Sequence, residues 1–153
     1  MLEKKIVLIG AGNMATALVS GLINNGYPAK NISITDHNEK KLAALQQQFS
    51  LETYQDNSKA ATFADIIILA VKPQATQQAV MEIKQTVKKK KPLIVSIAAG
   101  ITSSQLMQWF ATELPLIRCM PNTPALIGCG VTGIFANSYV TKQQKQIIGM
   151  IFS

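Results

Sequence analysis

The chain has few residues of the kinds that carry metal, disulfide or acid–base chemistry. It contains two cysteines, Cys119 and Cys129, and a single histidine, His37. One pair of cysteines is not a disulfide framework, and no histidine–cysteine cluster has the spacing of metal ligands. We therefore expect reduced thiols, no metal site and a cytoplasmic protein.

Long hydrophobic runs are also missing. The longest apolar segments, such as Ile66–Val71 and Leu93–Ala99, are far shorter than the roughly 20 residues that span a bilayer. The apolar stretch near the N-terminus is only about four residues long, which is too short for a signal peptide, and it continues into a glycine motif. The sequence predicts no membrane association and makes Lys5–Ile9 the first core strand.

Arginine is scarce although the net charge is +7: Arg118 is the only one. Nucleic-acid surfaces usually combine spread basic patches with arginine and aromatic contacts. Here four basic residues lie in one run, Lys88–Lys91, just before Pro92. We interpret this run as a solvated loop and expect no nucleic-acid partner.

What the sequence does contain is an alternation of short apolar runs and amphipathic segments. The predicted strands are Lys5–Ile9, Ile32–Thr35, Leu51–Tyr54, Ile66–Val71, Leu93–Ala99, Leu116–Cys119 and Val131–Phe135. The predicted helices are Met14–Asn24, a helix from the N-cap Asn38 to about Gln47, Ser58–Phe63, Gln74–Val87, a helix capped by Thr102 and a last helix from Thr141. This alternation is typical of one α/β domain over residues 1–153, with a mostly parallel sheet and helices on both faces. The abrupt end after Phe152 suggests a cut within a longer protein.

A glycine motif follows the first strand directly and opens the first helix. It reads Gly10-Ala11-Gly12-Asn13-Met14-Ala15, a G-x-G-x-x-A pattern. The first glycine would permit a tight turn, the second would let the backbone approach a pyrophosphate, and the alanine is small enough for close packing. The free N–H groups of the helix N-terminus would then face the phosphates. The motif predicts a Rossmann-type, doubly wound dinucleotide-binding domain, with a purely structural glycine turn as the alternative.

The end of the second predicted strand bears on the type of dinucleotide. Asp36 could accept hydrogen bonds from the adenosine ribose and repel a 2′-phosphate, which favours NADH. However, His37, Lys40 and Lys41 follow closely and could accommodate that phosphate. Asp36 could equally be a turn or helix-capping residue. The preference between NADH and NADPH therefore stays open.

Three further segments stand at the ends of predicted strands, where open α/β sheets bind ligands. They are Ala70–Pro73, Ala98–Gly100 and Cys119–Pro124. Lys72 is the only ionisable residue that can be placed near a nicotinamide, and a phosphate or surface contact is favoured over catalysis. No serine–histidine–acid set, P-loop or carboxylate pair is present, so the catalytic residues are unknown.

Four segments in this order resemble Δ1-pyrroline-5-carboxylate reductase, the last enzyme of proline biosynthesis: KKIVLIGAGNMATALVSGLINNG, ADIIILAVKP, LIVSIAAGIT and LIRCMPNTPALIGCGVTGIFAN. The part IRCMPNTPALIGCGVT discriminates best, because many dehydrogenases share the glycine motif. The resemblance implies coenzyme contacts at Gly10, Ala11, Gly12, Asn13, Met14, Asp36, His37, Asn57, Ala70, Val71, Lys72, Pro73, Ala98, Ala99, Met120, Pro121, Asn122 and Thr123.

The resemblance also implies features that lie outside this chain. Members of the family commonly use NADPH, and a second, all-helical domain forms an intertwined dimer and binds the pyrroline carboxylate. Residues 1–153 alone are therefore expected to have little activity. The alternatives are another two-domain reductase that acts on imines or β-hydroxyacids, and a non-catalytic dinucleotide-binding module.

Overall fold

The computed structural model describes residues 3–121 and 131–152, which form a sheet flanked by helices. The strands are β1 Ile6–Ile9, β2 Ile32–Thr35, β3 Glu52–Tyr54, β4 Ile66–Leu69, β5 Leu93–Ser96, β6 Leu116–Pro121 and β7 Val131–Ala136. The helices are α1 Asn13–Asn24, α2 Glu39–Phe49, α3 Asn57–Ala61, α4 Pro73–Lys90, α5 Ser103–Phe110 and α6 Lys142–Ile151. The predicted alternation of strands and helices is confirmed. Of the predicted site residues, Asn122 and Thr123 lie outside the described residues.

The strands form one sheet in the order β3-β2-β1-β4-β5-β6-β7. The first six are parallel to their neighbours, and β7 runs antiparallel to β6. In the register, Ile6 of β1 stands between Ile32 of β2 and Ile66 of β4. This is the strand order of a Rossmann fold with an antiparallel strand added at one edge. The predicted fold class is confirmed.

Both faces of the sheet are buried, which explains why the central strands are continuous apolar runs. Alternate side chains of β1 enter two separate cores: Ile6 and Leu8 belong to one, and Val7 and Ile9 to the other. Helices α1, α2 and α6 cover the first core, while α3, α4 and α5 cover the second. Helices on opposite faces make the sheet doubly wound.

Two helices start at the caps that the sequence predicted, Asn38 and Thr102. The Asn38 side chain accepts hydrogen bonds from the backbone N–H groups of Lys40 and Lys41 at the start of α2. Thr102 and Thr141 each form a capping box with a glutamine three residues later, at the starts of α5 and α6. Such caps satisfy backbone donors that would otherwise lack partners in the first turn.

The interpretation of the lysine run as a loop is wrong. Lys88, Lys89 and Lys90 form the last turn of α4, and Lys91 is its C-cap, with a left-handed φ of 48°. Positive side chains are stabilised at a helix C-terminus by the negative end of the helix dipole. A run of like charges was therefore compatible with a helix, and Pro92 marks where that helix had to stop.

Two strands end earlier than the sequence predicted, with consequences for the site. β4 ends at Leu69 rather than Val71, and β5 ends at Ser96 rather than Ala99. The small residues that follow each strand form loops at the carboxyl edge of the sheet. Among the helices in residues 3–121 and 131–152, none has both the length and the apolar character needed to cross a bilayer.

Candidate coenzyme site

The predicted glycine loop lies at the switch point of the sheet. The chain leaves β1 towards β2 on one side, while β4 pairs with β1 on the other, so a crevice opens beyond the carboxyl ends of β1 and β4. The residues that line this crevice are Gly10, Ala11, Gly12, Asp36, Lys41, Ala70, Val71, Lys72, Gln74 and Ala75. The structure thus brings together the glycine loop, the end of β2 and the loop after β4.

Gly10 is required by the fold itself. Its φ is +105°, and a Cβ at this position would lie 2.9 Å from the Ala70 carbonyl oxygen and 3.0 Å from Cγ1 of Val71. Its N–H donates to the Thr35 carbonyl at 2.9 Å. The loop therefore passes too close to the end of β4 for a side chain to fit.

Gly12 is different, because the fold does not need a glycine there. As N-cap of α1 it has an extended backbone (φ −77°, ψ −172°), and within residues 3–121 and 131–152 no side-chain hydrogen bond caps that end of the helix. A Cβ at Gly12 would meet nothing within 4 Å in the part of the chain that the structure describes. The space in front of the α1 N-terminus is therefore open, and uncapped N–H groups border it. This arrangement fits a diphosphate, which helix N-termini bind through N–H groups and the helix dipole.

Asp36 holds the glycine loop as well as forming a turn. One carboxylate oxygen accepts from the N–H of Ala11 at 2.9 Å, and the other accepts from the N–H of Asn38 at 2.8 Å. The contact with Asn38 is the turn role that the sequence left open. The contact with Ala11 was not predicted. Lys41 lines the same crevice, while His37 is exposed and is not among its lining residues.

Asn57 is buried at the start of α3 rather than lining the crevice. Its Oδ1 accepts from the Thr35 hydroxyl at 2.5 Å, and its Nδ2 donates to Glu82 Oε1 at 3.0 Å. The predicted contact between Asn57 and the ribose stays a prediction. Sequence reasoning missed Glu82 altogether, because nothing in the spacing of residues 57 and 82 indicates that they meet.

Lys72 and Pro73 mark the start of α4 at the edge of the crevice. Lys72 is the N-cap and Pro73 the first helical residue, a position where the missing N–H of proline costs nothing. From the sequence, Pro73 was predicted to stand at the end of a strand and to contact the coenzyme, but its role in starting α4 was not predicted. Gln74 and Ala75, in the same first turn, line the crevice as well.

The other predicted contacts follow β5 and β6. Ala98 is buried and Ala99 exposed, and both lie in the loop that follows β5. Met120 is 37% exposed near the end of β6, and the Pro121 backbone pairs with Val131. Among the described residues, no group of three or more histidine, cysteine or acidic side chains could hold a metal ion.

Cys119, next to the predicted contact Met120, belongs to the core. It is 1% exposed, and burial raises the pKa of its thiol to about 12. Because the thiolate is the reactive form, we expect Cys119 to resist alkylation in the folded protein near neutral pH. Peptide mapping after iodoacetamide treatment, with and without denaturant, tests this; rapid labelling of native Cys119 would contradict it.

The comparisons with known proteins agree with this geometry. Residues 5–100 match the family described as NADP oxidoreductase, coenzyme F420-dependent. A pyrroline-5-carboxylate reductase of Vibrio alginolyticus is 48% identical over 95% of this chain and 53% of that protein. The solved structure of a pyrroline-5-carboxylate reductase from Coxiella burnetii matches 98% of this chain and 56% of that chain, with a TM-score of 0.93 and 36% identity. The Plasmodium falciparum pyrroline carboxylate reductase with NADP bound matches 99% of this chain and 55% of that chain, with a TM-score of 0.84 and 26% identity.

The chain spans about half the length of the curated relatives it matches. The resemblance predicted from the four sequence segments is confirmed. Because the family match covers more than half of the residues, the chain belongs to the NADP oxidoreductase, coenzyme F420-dependent family.

Proposed function

We propose that this chain supplies the coenzyme-binding half of a reductase that converts Δ1-pyrroline-5-carboxylate to L-proline with NADPH or NADH. The observation that carries the proposal is the open space at Gly12, in front of an uncapped helix N-terminus at the switch point of the sheet. The likeness to pyrroline-5-carboxylate reductases along nearly the whole chain supports this substrate.

In the proposed reaction the chain mainly binds and orients the coenzyme. The glycine loop and the first turn of α1 would hold the diphosphate, and the ammonium groups of Lys41 and Lys72, which line the same crevice, would offset its charge. When bound, the reduced nicotinamide supplies the hydride. The small residues Ala98 and Ala99 would leave room for a flat ring beyond the end of β5.

The scarcity of acid–base groups is consistent with this chemistry. The ionisable residues that line the described crevice are Asp36, Lys41 and Lys72, and both carboxylate oxygens of Asp36 already accept backbone N–H groups. A protonated cyclic imine has an electrophilic carbon before it reaches the enzyme. Positioning alone can then supply much of the rate acceleration, so a dedicated general acid is not required.

The whole protein is proposed to act as a homodimer or a larger homo-oligomer. We expect the protein, at its natural length, to oxidise NADPH or NADH when pyrroline-5-carboxylate is added and to form proline in equal amount. Stopped assays that quantify proline and oxidised coenzyme together test this. Larger cyclic imines with NADPH or NADH, and β-hydroxyacids with NADP⁺ or NAD⁺, are the comparison substrates, because faster turnover of either would favour a different reductase. A protein that binds coenzyme but forms no proline would overturn the proposal.

A further inference from the structure

Three hydrogen bonds connect the middle of α4 to the glycine loop. Glu82 on α4 accepts from Nδ2 of Asn57 at 3.0 Å, and Oδ1 of Asn57 accepts from the Thr35 hydroxyl at 2.5 Å. Thr35 is the last residue of β2, and its carbonyl oxygen accepts from the Gly10 N–H at 2.9 Å. A residue of α4 that does not line the crevice is thus linked to the loop that does.

We propose that Glu82 is a positioning residue for coenzyme binding. It fixes the amide of Asn57, and through Asn57 and Thr35 it holds the end of β2 against the glycine loop. The inference rests on the proposed function only in taking a nicotinamide dinucleotide as the ligand of that loop.

Glu82 decides which way the Asn57 amide points. An ionised carboxylate can only accept hydrogen bonds, so the NH₂ end of the amide must face it. The amide oxygen then faces Thr35, whose hydroxyl donates to it. A flipped amide would place its oxygen against the carboxylate and would leave the Thr35 hydroxyl without this acceptor. The Thr35 hydroxyl is fully buried and could still accept from the flipped NH₂ group, so the contact with Glu82 is what fixes the orientation of the amide.

The position of β2 in turn fixes two consecutive donors of the glycine loop. The Thr35 carbonyl accepts from Gly10, and the next residue, Asp36, accepts from Ala11. A displaced end of β2 would therefore release both N–H groups from their present geometry. Coenzyme binding would then have to order the loop as well, and that ordering weakens affinity.

The test measures the dissociation constants of NADPH and NADH for the protein at its natural length and for its variants. We expect Glu82→Ala to weaken both by roughly three- to tenfold, the size expected when one typical hydrogen bond at a partly buried position is lost. The two coenzymes should be affected alike, because the glycine loop would bind the diphosphate that they share. If Glu82 acted only through its negative charge, Glu82→Ala would instead tighten the binding of the anionic coenzymes.

Two variants separate this role from a general structural one. Glu82→Gln keeps an oxygen that can accept from Asn57, so its affinity should stay within about twofold of the natural protein. Gln85→Ala, at an exposed position of the same helix, should change nothing. A Glu82→Ala protein with unchanged or tighter coenzyme binding would overturn the inference, even if its melting temperature falls. So would a loss in Glu82→Gln as large as that in Glu82→Ala.

A measurement on the unsubstituted protein covers the case in which Glu82→Ala does not fold. In ¹⁵N-resolved NMR spectra, the side-chain NH₂ signals of Asn57 should shift together with the backbone signals of Gly10 and Ala11 as NADPH is added. Asn57 signals that stay fixed while the loop signals move would overturn the inference. Failure to reduce pyrroline-5-carboxylate would count against the proposed function alone, because these tests read coenzyme binding.

Discussion

Replacing Gly12 by valine is expected to weaken the binding of NADPH and NADH at least about 100-fold, a loss of roughly 2.7 kcal/mol, in a protein that still folds. The backbone at Gly12 is extended (φ −77°, ψ −172°), a conformation that valine adopts without strain. Apart from its chain neighbours, no atom of the described residues lies within 4 Å of where a Cβ would stand. The two methyl groups would instead fill the space in front of the α1 N-terminus, where the diphosphate is proposed to bind.

Coenzyme titration followed by fluorescence measures the affinity, and denaturant unfolding of the same samples measures whether the variant still folds. Gly149→Ala is the matched control, because Gly149 in α6 has just as much free space around a Cβ but lies outside the residues that line the crevice. It should bind coenzyme normally and gain roughly 0.5–1 kcal/mol of helix stability. Normal NADPH binding by Gly12→Val would show that the diphosphate does not pass over this residue.

The features that could be predicted from the sequence are those set by neighbouring residues. Apolar runs such as Ile66–Leu69 identify buried strands, because a parallel sheet with both faces covered needs continuous apolar residues. The G-x-G-x-x-A motif between β1 and α1 located the switch point, since the tight turn and the helix start are properties of consecutive residues. Capping by Asn38 and Thr102 is likewise local and was predicted from single residues and their spacing.

The features that could not be predicted depend on contacts between distant parts of the chain. The hydrogen bond from Ala11 to Asp36 joins the loop after β1 to the loop after β2. The one from Asn57 to Glu82 joins helices α3 and α4. Several basic residues follow Asp36, and the position of each around the start of α2 decides whether it lines the crevice. Lys41 does so, and composition alone could not distinguish it from its neighbours.

The sequence also misplaced some helix and strand ends, because these ends depend on the tertiary structure. The lysine run was predicted to be a solvated loop, yet Lys88–Lys90 form the last turn of α4, where the negative end of the helix dipole favours positive charge. Strand β4 ends at Leu69, two residues before its apolar run does. The Ala70 N–H still donates to the Ile9 carbonyl at 2.9 Å, but Ala70 and Val71 already line the crevice. In both cases the tertiary setting outweighs the local pattern.

Replacing Gly10 by alanine should have the opposite profile to Gly12→Val, with its primary effect on stability. The φ of +105° lies in a region that residues with a Cβ rarely adopt, and the added methyl group would lie 2.9 Å from the Ala70 carbonyl oxygen. A sparsely populated conformation costs about 1–3 kcal/mol, and overpacking against rigid backbone adds a similar amount. We expect the free energy of unfolding to fall by about 3 kcal/mol or more.

Denaturant unfolding measures this loss as a lower midpoint at an unchanged slope, and thermal unfolding should show a melting temperature lower by roughly 10 °C. The comparison with Gly12→Val is informative because the two glycines are two residues apart in one loop. If Gly10→Ala were as stable as the natural protein, the loop would have room to move away from β4, and its close approach to Ala70 could not be what makes glycine necessary. Stability lost at Gly10 and coenzyme affinity lost at Gly12 would instead assign the first glycine to the fold and the second to the ligand.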